Sequence, residues 1–159
     1  MNRGKSGISP VMATVILVAI AIVIAIAVAF WATGLVGVFT RFEKMEVVAA
    51  VYDTTDGDVE LLVRNTGSSA ATIDNIYVNG QPAGTYTLSG SGNVVNPPTD
   101  ATICTISSDK TTGTCDPGEY IVVSITEPAS GATWVPGVTY EVAVHTASGK
   151  TYPASVLIP

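Results

Sequence analysis

The chain divides into two stretches with different spacings of apolar and polar residues. From residue 6 to residue 40 no position carries a charge, and Val, Ile, Ala and Leu fill most of the run. From residue 47 onward short apolar runs alternate with Thr, Ser, Gly, Asn and Pro. The first stretch has no polar stripe, so it has no wet face and no dry face. Its β-branched residues favour strands, but 35 uninterrupted positions exceed any strand and predict a helix. Lipid or a dry interior also requires backbone groups to be satisfied within the segment, which a helix achieves. Ser9 stands where an N-cap is needed, and Pro10 suits the first helical position because its missing N–H costs nothing there. The helix is expected to run on to about Lys44, giving a helical segment over 8–45.

Length is the informative property of this helix. At ~1.5 Å per residue its uncharged stretch makes a rod of roughly 50 Å, against a hydrocarbon core of ~30 Å. Tilt absorbs part of the excess. Burial along the whole rod among like helices would account for the rest. Ala19, Ala21, Ala25, Ala27, Ala29, Ala32, Gly34 and Gly37 are small enough for close backbone approach. They are spread around the helix rather than along one line, which suits several neighbours better than one. Val11, Ile16, Ala19, Ile22, Ala25, Ile26, Ala29, Phe30, Gly34 and Gly37 are the candidate contact positions.

The second stretch reads as strands at 47–52, 59–64, 72–78, 101–106, 120–126, 139–145 and 151–158, with an extra strand at 85–88. Turn residues separate them: Asp56-Gly57, Asn65-Thr66-Gly67 and, most strongly, Asn79-Gly80. Short strands without helical periodicity between them predict a β-sandwich of Greek-key or immunoglobulin-like type over 46–159. The fold class is therefore α+β, a long apolar helix followed by an all-β head. Residues 90–99 form a long loop stiffened by Pro97-Pro98.

Charge and chemistry narrow the function classes. The net charge is −6, and without the two cations of the first seven residues it is −8. No basic stripe exists, so nucleic acid finds little electrostatic support as a partner. Arg3 and Lys5 precede the helix and favour a cytoplasmic N-terminus, while Arg41 and Lys44 at its far end alternate with Glu43 and Glu46. Cys104 and Cys115 bracket ten polar-rich residues and, in an exported domain, read as a disulfide, with two buried thiols as the alternative. One His, no HExxH, no GxSxG and no phosphate-binding glycine loop leave catalysis without a foothold. His145 lies in a strand and reads as structural or solvent-facing. The acids at 53–58 do not complete a calcium loop, and Asp-Gly in a hairpin explains them without metal. Neither a metal nor a cofactor is implied.

The start of the chain carries the remaining signal. A basic leader, Lys5-Ser6-Gly7, passes at once into Ile8-Ser9-Pro10-Val11-Met12-Ala13-Thr14-Val15-Ile16-Leu17. The apolar stretch is too long for the core of an ordinary signal peptide. The junction resembles the class III signal peptide and N-terminal motif of archaeal type IV pilins, over roughly residues 3–39. The resemblance implies a precursor waiting in the membrane with its head outside the cell. A prepilin peptidase would remove leader 1–7 between Gly7 and Ile8, and an assembly ATPase with its platform would draw subunits into a surface filament. Apolar helices would form the core of that homopolymer, and its expected role is adhesion to an unspecified surface. Pilins usually carry a basic residue directly before the small one, and Ser6 stands there instead. A cut between Gly4 and Lys5 therefore competes. Two other readings share the architecture: a permanently anchored surface protein with a ligand-binding β-domain, and an archaellin-type subunit.

Overall fold

The computed structural model describes residues 10–159, without the side chain of Phe39. The chain forms two units, Met1–Arg41 and Phe42–Pro159. The first is α1 (Pro10–Phe39), a single helix that opens on the residue expected at its first turn.

α1 ends five residues before Lys44, and the head supplies the reason. The Phe42 N–H donates to Ser68 Oγ at 3.0 Å. The Phe42 carbonyl accepts from the N–H groups of Ser68 and Ser69, and the Lys44 carbonyl accepts from those of Thr66 and Gly67. These bonds hold residues 42–44 against the Asn65-Thr66-Gly67 turn as part of the head rather than of the helix. A Cβ on Gly67 would lie 2.6 Å from both Lys44 N and Phe42 O, so the close approach requires glycine. The boundary expected at 45/46 therefore falls at 41/42.

The head contains β1 (Met45–Asp53), β2 (Asp58–Asn65), β3 (Ala71–Val78), β4 (Gln81–Pro82), β5 (Thr85–Ser89), β6 (Thr105–Ile106), β7 (Gly113–Cys115), β8 (Tyr120–Glu127), β9 (Thr139–Thr146) and β10 (Thr151–Leu157). One sheet has the order β1-β2-β8-β5 and the other β10-β9-β3-β7-β6, with β4 paired to β3. Every strand pairing is antiparallel. Taking β1, β2, β3, β5, β8, β9 and β10 as strands A to G, the sheets are ABED and GFC, the immunoglobulin constant-type order. The remaining three short strands attach around strand C.

The seven principal strands differ from the expected seven at one place. Residues 85–89 are a full strand, whereas 101–106 yields only the two residues of β6 and an isolated bridge from Ile103 to Tyr120. β7 sits in a Thr/Gly-rich segment with little apolar alternation and was not expected. Asn79 and Gly80 both take positive φ, 50° and 77°, which closes the β3–β4 hairpin in the tight turn that sequence pair favours.

The core lies between the sheets. Val59, Leu61 and Val63 from β2 face Ile73, Ile76 and Val78 from β3, with Ile121, Val123 and Ile125 from β8 and Val142 and Val144 from β9. This alternation is the period-two pattern of half-buried strands, shifted by one residue in β3 at the bulge between Ile73 and Asn75. β2 breaks it, because Glu60 and Leu62 on its outer side are also buried. Leu62, Val122 and Val95 form a second small apolar cluster there. Val95 belongs to the 90–99 loop, which folds down over the outer face of the ABED sheet.

Candidate functional site

The candidate site begins with α1. Every described side chain from Pro10 to Val38 is exposed. The helix's two hydroxyl side chains turn inward on its own backbone. Thr14 Oγ1 donates to the Val11 carbonyl at 2.8 Å, and Thr33 Oγ1 donates to the Ala29 carbonyl at 2.7 Å. Hydroxyls satisfied in this way need no water, so the surface is apolar in chemistry as well as composition. Pro10–Val38 is long and apolar enough to cross a membrane. Its thirty residues make a rod of about 45 Å, still longer than a bilayer core.

Val11, Ile16, Ala19, Ile22, Ala25, Ile26, Ala29, Phe30, Gly34 and Gly37 all lie on α1 and are all exposed. At 3.6 residues per turn their spacing confines them to roughly one half of the helix circumference, a broad face rather than a narrow stripe. A Cβ added at Gly34 or Gly37 would meet nothing within 4 Å, so no contact within the chain requires glycine at either. Gly4, Lys5, Gly7, Ile8 and Ser9 lie outside the described residues.

Cys104 and Cys115 form a disulfide with Cα atoms 4.4 Å apart. They face each other across the β6–β7 hairpin, one step beyond the Thr105–Thr114 pair. The bond closes a loop worth about 3 kcal/mol in the chain-entropy account. It staples a hairpin too short to hold by strand pairing alone.

His145 lies on β9, partly exposed. Its Nδ1 lies 2.6 Å from Asp74 Oδ1, and its ring meets Tyr77 edge-on at 5.5 Å. The acids of the 53–58 turn are likewise engaged. Asp53 Oδ1 accepts the Thr55 N–H at 2.7 Å, and the Asn93 side-chain amide bridges Asp53 and Asp56. The Thr55 bond holds the Asp53 carboxyl below its usual range, whereas burial raises that of Asp58.

Two buried polar residues escaped the sequence reading. The Glu60 carboxylate accepts the successive N–H groups of Asn93, Val94 and Val95 at 2.7–2.9 Å. It is the clasp that holds the 90–99 loop. A glutamate inside the run Val59-Glu60-Leu61-Leu62-Val63 was the available sign of a strand covered on both faces. Asn65, fully buried, donates its amide to the carbonyls of Cys115 and Ser69 and accepts the Gly67 N–H. The Asn-Thr-Gly turn was legible, but the reach of its first side chain across fifty residues was not.

No family model matches the chain, and no curated protein matches it. Among solved structures it is similar to the archaellum periplasmic stator protein FlaG from Sulfolobus acidocaldarius, at 15% identity and a TM-score of 0.45, covering 72% of this chain and 99% of that one. The complex of FlaF and FlaG from the same organism matches at 16% and 0.41, over 72% and 89% of the two chains. The Iho670 flagellar-like filament matches at 16% and 0.35, over 94% and 98%. Likenesses of this degree assign neither a family nor a role, and the functional reading rests on the chain's own residues.

Proposed function

We propose that this chain is the structural subunit of an extracellular filament of the type IV pilus kind. The observation that carries the reading is α1: apolar on every face, exposed along its described length, and longer than a bilayer requires. In the precursor the helix spans the membrane, with its N-terminus in the cytoplasm and the β-head outside. A prepilin peptidase removes the leader before Ile8, and an ATPase-driven platform transfers the helix from lipid to a bundle of its copies. Replacement of lipid contacts by helix contacts spares the rod exposure to water during transfer. The disulfide-stapled head forms the outer surface, and its role is attachment to surfaces.

Filaments sheared from cells and sequenced from their N-terminus are expected to begin at Ile8. A start at Lys5 would move the cut without changing the function. Recovery of the uncut chain only from membranes, with no filament on the cells, would refute this reading and support a permanently anchored surface protein.

A further inference from the structure

The composition of α1 changes at one point along its length. From Val11 to Ala29 it has neither a glycine nor an aromatic residue. Phe30 and Trp31 follow side by side, 77% and 69% exposed. Beyond them Ala32–Phe39 carries Thr33, Gly34 and Gly37. In the sequence, Arg3 and Lys5 stand before the helix, and the next charge is Arg41.

Trp31 is the informative residue at that point. Its indole N–H forms no hydrogen bond with another described residue. In hydrocarbon a donor without an acceptor is costly, whereas at the membrane surface headgroups and water supply one. Tryptophan accordingly gathers at the two faces of a bilayer. At ~1.5 Å per residue the helix rises about 32 Å from Pro10 to Trp31, against a hydrocarbon core of ~30 Å. With Pro10 at the inner boundary, Trp31 reaches the outer one.

Two other placements fit less well. Holding the whole rod of about 45 Å inside the core takes a tilt of about 50°, beyond the ~40° limit of spanning helices. Sliding the helix toward the cytoplasm until Phe39 meets the outer boundary pushes Pro10–Val18 out of the core. That segment has six large apolar side chains (Val11, Met12, Val15, Ile16, Leu17 and Val18), while Ala32–Phe39 has four. The slide would also carry Trp31 about 12 Å deep.

We infer that in the precursor the hydrocarbon takes Pro10–Phe30, Trp31 sits among the lipid headgroups of the outer face, and Ala32–Phe39 passes out through that layer. The inference rests on the membrane-spanning precursor of the proposed function. It gives each part of the rod its own partner: acyl chains for the aliphatic run, headgroups for the indole. The excess length of α1 is then a segment that crosses the interface rather than one forced into the core. Its rise of about 12 Å exceeds a headgroup layer of roughly 5–8 Å and leaves Arg41 on the water side.

The test uses the full-length precursor with Trp134→Phe, so that Trp31 is its one indole. The chain is reconstituted in phosphatidylcholine vesicles whose acyl chains carry bromine either near the headgroup or near the chain end, and quenching of indole emission is read. Bromine near the headgroup should quench Trp31 roughly twofold or more over bromine near the chain end. A second chain, with Ala21→Trp and Trp31→Phe added, sets the indole about 15 Å lower along the helix and should reverse that preference. Deep quenching of Trp31, whatever the second chain does, overturns the depth and leaves the membrane-spanning precursor standing. Surface quenching of both chains overturns the span itself, because the helix then lies along the interface. Absence of quenching in both overturns it as well, because the helix has not inserted. Filament formation is read separately from sheared appendages, so a wrong depth leaves that reading untouched.

Discussion

Replacing Glu60 tests how the outer face of the ABED sheet is covered. Its carboxylate is 3% exposed as a residue and accepts three consecutive backbone N–H groups from the 90–99 loop. Hydrogen bonds to a charged group contribute about 1.5–3 kcal/mol each, and a buried donor left without a partner costs about 1–3 kcal/mol. The three are not independent, because Asn93 and Val94 are exposed and water can replace the carboxylate at both. Only the Val95 N–H is left dry, and lifting the loop to wet it would uncover Leu62 and Val122. Glu60→Ala should therefore cost about 2–4 kcal/mol. Glu60→Gln keeps the volume but turns an NH₂ toward a donor, and should cost about 1–3 kcal/mol. Over the 118 residues of the head, 1 kcal/mol corresponds to about 4 °C in Tm. Thermal unfolding of the full chain in detergent, followed by the buried Trp134 with Trp31 replaced by Phe, reads the shift. Hydrogen exchange should show protection lost at Asn93, Val94 and Val95. A loss under about 0.5 kcal/mol for Glu60→Ala, with exchange unchanged at those amides, would refute the clasp.

Three further outcomes follow from the same structure. Asn65→Asp turns a donor toward the carbonyls of Cys115 and Ser69 into a buried acceptor and should cost about 3 kcal/mol or more in urea unfolding. Asp53 has its pKa lowered in the folded state, chiefly by the Thr55 N–H, so its contribution is complete above the ordinary aspartate range and is lost as pH falls through the depressed value. Asp53→Asn should thus destabilise the head at pH 7 and approach the parent in acid, as measured by unfolding across pH. Gly34→Ala and Gly37→Ala meet no atoms in the isolated chain and should raise helix stability by roughly 1 kcal/mol each. If neighbouring helices approach closely there, the same changes should reduce filament assembly, seen by counting appendages under the electron microscope; unchanged assembly would place those glycines away from the packed core.

The sequence made the helix plain because lipid-like chemistry leaves no periodicity to misread. Its end was harder to place, since residues 41–44 are helix-tolerant and only the hydrogen bonds from Ser68, Ser69, Thr66 and Gly67 draw 42–44 into the head. Strands buried on one face announced themselves by alternation. The exchange of 85–89 for 101–106 shows where that signal thins: both carry Thr and one or two aliphatics, and pairing with β8 makes a strand of the former. Glu60 and Asn65 act through partners 33–35 and 50 residues away, a distance that local pattern does not encode.

The join between Phe42 and β1 has a mechanical consequence. Tension arriving through residues 42–44 enters β1 along its length. β1 is paired to β2 from Met45–Asn65 to Asp53–Asp58, with bonds that lie across the direction of pull. Such a load falls on the whole ladder at once instead of opening it one rung at a time. The carbonyls of Phe42 and Lys44, held by four N–H groups of the neighbouring turn, take the strain before the ladder does. Under shear the head should give way abruptly and at high force, and Gly67 sits at the link that must fail first.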